Sequence, residues 1–119
     1  MTETWPDLVK MLTANLRDLR SGNPEVMKAF SAIAQAALAP KALDTKTKEL
    51  IALGISVALR CDDCIAFHAK AASDRGASRD EVLETLGMAI YLGAGPSVMY
   101  ASHALGAFSQ FEAAKTSAP

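Results

Sequence analysis

Apolar positions recur at helical spacing along nearly the whole chain, and the strict alternation of a half-buried strand is almost absent. Leu8, Met11, Leu12, Leu16 and Leu19 share one stripe, predicting a first helix over residues 5–20. Ser21-Gly22-Asn23 ends it, and Asn23 is placed to cap a second helix with Pro24 at its first position and Glu25 favouring its positive end. That helix reaches Ala39, where Pro40 stops it. Asp44 is the expected N-cap of a third helix over residues 45–59, whose run from Leu50 onward is apolar all round, as in a central buried helix. A fourth is predicted over residues 61–75, with Gly76 as its C′ residue. Ser78 and Glu81 have capping-box spacing and open a fifth helix to about Leu92. A sixth follows Gly95-Pro96 to about Ala114, and residues 115–119 read as a loose tail. The pattern is that of an all-α domain of about six helices with short connections.

Composition sharpens this picture. The chain has 119 residues, the length of one domain (1–119), and shows neither an internal repeat nor a low-complexity linker. Hydrophobic residues make up 50% but aromatic ones only 6%; the alanine-rich remainder favours close-packed helices over a β-sandwich. A net charge of −1 and a pI near 6.1 give no nucleic-acid footprint. Mean hydropathy of +0.15 is high for so small a monomer. It implies helices buried on most sides, or apolar surface covered by another subunit. The first residues hold neither a basic run nor an apolar signal core, so the expected location is the cytoplasm. Residues 85–111 lack Asp, Glu, Lys and Arg, a stretch long enough to span a bilayer. Gly93-Ala94-Gly95-Pro96 interrupts it, so two buried core helices, not a membrane span, are expected.

The candidate chemistry lies in the fourth helix. The only two cysteines, Cys61 and Cys64, are three apart, and His68 lies four beyond the second. At ~100° per residue, with Cys61 at zero, Cys64 falls at about 300° and His68 at about 340°, so two sulfurs and an imidazole share a stripe. Thiols able to bridge each other, beside a base able to take a proton, are the parts of a redox or peroxide-reducing site. A helix N-terminus favours a thiolate, while Asp62 and Asp63 add opposing charge. Two other readings use the same residues. Both cysteines could be small buried hydrophobes. Alternatively Cys61, Cys64 and His68 could ligate zinc with Glu49 or His103 as a fourth group; no second Cys or His pair accompanies them, and no metal or other cofactor is assigned.

Glu49 opens the apolar third helix, either as a solvated acid in the first turn or, if that helix folds back, as a carboxylate that reaches and orients His68. His103, among small residues, reads as a hydrogen-bonded core histidine. Trp5, Phe30, Phe108 and Phe111 read as packing, Phe67 as packing or the edge of an access route, and Met88 and Met99 as gap fillers between helices.

Glu49, eleven intervening residues, then Cys61-x-x-Cys64-x-x-x-His68 resembles the signature of AhpD-like alkylhydroperoxidases within the carboxymuconolactone decarboxylase family. The resemblance covers residues 44–95 and implies an AhpD-like helical domain around a central helical hairpin, assembled as a homotrimer or homohexamer. It also implies peroxide reduction. Cys64 would attack the peroxide, Cys61 would resolve the sulfenic acid as an intramolecular disulfide, His68 would serve as base, and Glu49 would complete the proton relay. The disulfide would be re-reduced by a dithiol donor such as protein-bound lipoamide. Some family members carry histidine where this chain has Asp63, and this chain is the single short form, not the two-repeat form. A lactone decarboxylase, whose true representatives generally lack the paired cysteines, and a non-enzymatic redox sensor are the alternatives.

Overall fold

Capping chemistry decides where the helices of this chain begin and end. The computed structural model describes residues 4–117. Helix α1 (Trp5–Gly22) starts where Thr4 Oγ1 accepts the Asp7 amide at 3.1 Å. Helix α2 (Pro24–Leu38) has proline at its first turn, but Asn23 makes no side-chain cap bond, contrary to expectation. Instead its own amide donates to Leu19 O at 2.8 Å and so serves the end of α1. Helix α3 (Thr45–Ala58) is capped as expected, Asp44 Oδ1 accepting from Thr47 N at 2.8 Å. Those bonds from Thr47 hold the Asp44 carboxyl below its ordinary range.

Helix α4 (Asp62–Asp74) ends at Gly76, which takes φ +81°; Gly76 N donates to Ser73 O and Ala77 N to Ala72 O. This is a Schellman motif, in which glycine occupies the left-handed position without steric cost. Helix α5 (Arg79–Ser117) opens on the expected capping box, Ser78 Oγ accepting from Glu81 N and Glu81 Oε1 from Ser78 N. Glu81 also holds Lys46 Nζ at 2.9 Å, tying the first turn of α5 to that of α3. The Ser78 amide and then Lys46 keep the Glu81 carboxyl below its usual range, and Glu81 in turn raises Lys46.

The predicted fifth and sixth helices are two arms of this one element. Ala94, at φ +53° and ψ −139°, is its non-helical residue, and Pro96 follows immediately. Gly93 must lack a side chain here, because a Cβ would fall 2.8 Å from Ser97 Cβ and still closer to its hydroxyl. The helix then continues through Lys115, whose ammonium binds Ser73 O and Glu112 Oε2, so the expected loose tail is helical to Ser117. Ala118 and Pro119 lie outside the described residues.

α3 and α4 form an antiparallel hairpin, and both arms of α5 pack against it. Leu53, Val57, Ile65 and Val82 are completely buried between them, with Phe108 and Phe111 closing the core from the second arm. The expectation of a wholly buried α3 fails within one chain, since Ile51, Ile55 and Leu59 remain exposed. Phe30, Met88 and Met99 are likewise exposed and not packed, at 63%, 60% and 59% of their surface. Neither α1 nor α2 contributes a buried residue. By length and composition alone α5 could cross a membrane, and only 22% of its most apolar window is buried, so the expected two buried core helices are instead arms that each bury one face and expose the other.

Candidate active site

The link between α3 and α4 is short and conformationally demanding. α3 closes with a second Schellman motif, Cys61 N donating to Ser56 O at 3.1 Å and Arg60 N to Val57 O at 3.0 Å. Arg60 occupies the left-handed position at φ +56°, where a side chain costs of order 1 kcal/mol relative to glycine. No sequence signal marks it, because the usual glycine or asparagine is missing. The residue that completes this motif, Cys61, is also the N-cap of α4. Two backbone motifs therefore converge on one cysteine and fix its direction.

Cys61 Sγ accepts the Cys64 amide at 3.2 Å, and the two sulfurs are joined as a disulfide across the first turn of α4. Both cysteines are partly exposed, whereas Ile65 and Ala66, which follow, are buried. The sulfurs thus sit at the rim of the core and at the positive end of a helix, where a thiolate is favoured. His68 follows one turn after Cys64 on the same stripe.

The hairpin brings Glu49 to this stripe from α3. Its carboxylate Oε1 lies 2.7 Å from His68 Nδ1, and Glu49 is only 6% exposed while the His68 side chain is 33% exposed. A carboxylate can only accept, so Nδ1 carries the proton and Nε2 is the nitrogen left to take another. The reading of Glu49 as a solvated acid is thereby replaced by a buried acid with one specific partner. Ser56, also buried on this side of α3, uses its hydroxyl on Ala52 O within its own helix.

His103 is not a core residue. Its side chain is 43% exposed, and Nδ1 lies 2.8 Å from Asp62 Oδ1 on the first turn of α4. With Glu49 and His103 each engaged elsewhere, the described residues contain no group of three or more His, Cys, Asp or Glu side chains that could hold a metal ion. The pairing of Asp62 with His103 spans 41 residues, and no local pattern in the sequence announces it.

Comparison with known proteins agrees with this architecture. A carboxymuconolactone decarboxylase family protein from Legionella pneumophila, solved in its apo form, is 49% identical, with a TM-score of 0.89 over 91% of this chain and 96% of that one. A Thermotoga maritima family member, for which involvement in an antioxidative response has been suggested, is 31% identical with a TM-score of 0.82 over 92% and 93% of the two chains. An uncharacterized protein of Cupriavidus necator is 39% identical over 95 residues, 80% of this chain and 84% of its own length. Residues 24–107 match the family's sequence pattern and contain Glu49, both cysteines, His68 and His103. The chain belongs to the carboxymuconolactone decarboxylase family.

Proposed function

We propose that this family member is a thiol-dependent peroxidase of the alkylhydroperoxidase type. The observation that carries the reading is the 2.7 Å contact between buried Glu49 and His68, one turn from a cysteine pair close enough to bridge. A fixed tautomer presents Nε2 as a base, which a structural disulfide has no need of. In the reduced protein His68 takes the Cys64 proton, and the thiolate attacks the terminal oxygen of a hydroperoxide. The O–O bond breaks, the alkoxide leaves as the alcohol with the proton held by His68, and Cys64 becomes a sulfenic acid. Cys61, whose sulfur occupies the cap position, then attacks Cys64 Sγ; water leaves and the disulfide forms. A dithiol such as protein-bound lipoamide supplies two electrons and two protons to restore the thiols. The net reaction converts one hydroperoxide and one dithiol into alcohol, water and a disulfide.

Stopped-flow titration of the reduced protein with an alkyl hydroperoxide is the direct test. One equivalent of peroxide should be consumed per chain, and mass spectrometry should then show a loss of two hydrogens at Cys61–Cys64. A reduced pair that forms the disulfide with oxidants in general but leaves hydroperoxides untouched would favour the redox-sensor alternative.

We further propose that the chain works as a homo-oligomer, a homotrimer or homohexamer by the family resemblance. Its accessible surface is 7608 Å², whereas a folded monomer of 12.5 kDa typically exposes roughly 6,200 Å². The excess approaches what a standard interface covers on each of two faces, about 800 Å² apiece. Val26, Phe30 and Ile33 form an exposed stripe on α2, and an apolar groove of about 620 Å³ runs between α3 and the first arm of α5. Light scattering should give a mass that is a multiple of 12.5 kDa, and Phe30→Asp should lower it; a monomer at micromolar concentration sinks the proposal.

A further inference from the structure

The second histidine contact, to the residue that follows Cys61, has no place in the relay just described. His103 projects from the second arm of α5 and meets Asp62, the first residue of α4 and the immediate neighbour of Cys61. Its ring is held as well as bonded. Tyr100 lies 5.0 Å away between ring centroids at 55°, and Trp5 of α1 lies 6.2 Å away at 51°. Trp5 is itself anchored, its amide donating to Gln110 Oε1 at 2.7 Å. Three helices therefore converge on an imidazole whose hydrogen bond is to the turn that carries the disulfide.

The two acids between the cysteines are thereby made unequal. Asp63 is exposed and makes no side-chain hydrogen bond or ion pair among the described residues, whereas Asp62 is held by His103. A carboxylate at the first turn of a helix competes with a thiolate for the same amides and the same positive dipole end. Pairing it with an imidazole fixes its direction and, when the ring is protonated, cancels its charge. Asp62 is the charged group that bonds His103; Trp5 from α1 is uncharged, and Tyr100 is the titratable neighbour on its own helix.

We propose that His103 is a positioning residue for the Cys61–Cys64 couple, acting through Asp62 to hold the first turn of α4 and to offset the negative charge beside the Cys61 sulfur. The inference rests on the thiol-redox reading of the site, though not on the identity of the oxidant. A dithiol whose thiolate is better stabilised is easier to form from its disulfide. Loss of His103 therefore makes the disulfide harder to reduce, and loss of the Asp62 charge makes it easier. Both effects act on one charge, so they are coupled.

The experiment is a double-mutant cycle on the oxidised protein, equilibrated with reduced and oxidised dithiothreitol, with His103→Gln, Asp62→Asn and the double variant. His103→Gln should shift the equilibrium threefold to tenfold toward disulfide, tenfold being about 30 mV for a two-electron couple. Glu49 and His68 are common to both proteins, so the difference isolates His103. In the Asp62→Asn background the His103 substitution should do nothing, while Asp63→Asn should leave the His103 effect intact. A His103→Gln shift that is absent, or that persists unchanged without Asp62, overturns the proposal, even if thermal stability falls. Coupling retained in a protein inert to hydroperoxides refutes the peroxidase reading alone. A pair that never forms a reversible disulfide refutes both.

Discussion

Cys64→Ser should abolish turnover of hydroperoxides, with the rate falling at least about 10³-fold to the uncatalysed background, because a serine hydroxyl does not attack the peroxide oxygen and Cys61 is assigned to resolution. Serine is close to cysteine in size, and Cys64 is partly exposed, so the fold should persist and the loss should report chemistry. Cys61→Ser provides the contrast. Serine is a strong N-cap, so the amide of Cys64 keeps its acceptor and α4 its start. That variant should consume one equivalent of peroxide and stop, accumulating a sulfenic acid on Cys64 that a dimedone-type reagent traps. The two substitutions thus separate attack from resolution. Measuring peroxide consumption by stopped flow and the trapped adduct by mass spectrometry decides the matter. Full activity in Cys64→Ser rules the mechanism out, and a trapped adduct on position 61 in Cys64→Ser would exchange the roles of the two sulfurs.

The helices were readable in the chain wherever a side chain closes its own cap. Asp44 with Thr47, Ser78 with Glu81, and Gly76 after α4 are contacts within five residues, and each holds in the structure. Asn23 shows the limit of that logic: its residue type favours a cap, but its backbone is engaged by Leu19 and its side chain caps nothing. The apolar content of α3 and the positions of Phe30, Met88 and Met99 suggest burial, yet Ile51, Ile55, Leu59 and these three side chains are exposed, because helical spacing alone does not say which apolar face meets the core. The stripe of Cys61, Cys64 and His68 follows from helical period alone. Glu49 does not, since 19 residues separate it from His68 and only the antiparallel return of α4 along α3 closes the gap. Arg60 in a left-handed conformation and the Asp62–His103 pair were invisible for the same reason. Tertiary packing imposes them, and nothing in the neighbouring sequence records it.

Glu49→Gln should lower the rate of sulfenic acid formation by about 10²-fold, within the range that a positioned acid–base group supplies. Glutamine has nearly the volume of glutamate and keeps an oxygen that can accept from His68 Nδ1, so the core around a residue only 6% exposed need not collapse. What it loses is the negative charge facing the ring as His68 acquires the Cys64 proton. It also gains an amide that can turn its N–H₂ toward Nδ1 and favour the wrong tautomer. Glu49→Ala removes both the charge and the tether and should cost more. A general loss of structure would lower the rate by a constant factor at every pH, and this relay predicts something else. Alkaline solution deprotonates thiols without a protein base, so a relay that supplies the thiolate becomes dispensable there. The gap between the native protein and Glu49→Gln should therefore be widest near pH 6 to 7 and narrow above about pH 9. Single-turnover rates measured across that interval are the check. A gap that stays constant assigns Glu49 to structure and removes it from the proton path, leaving His68 to act alone.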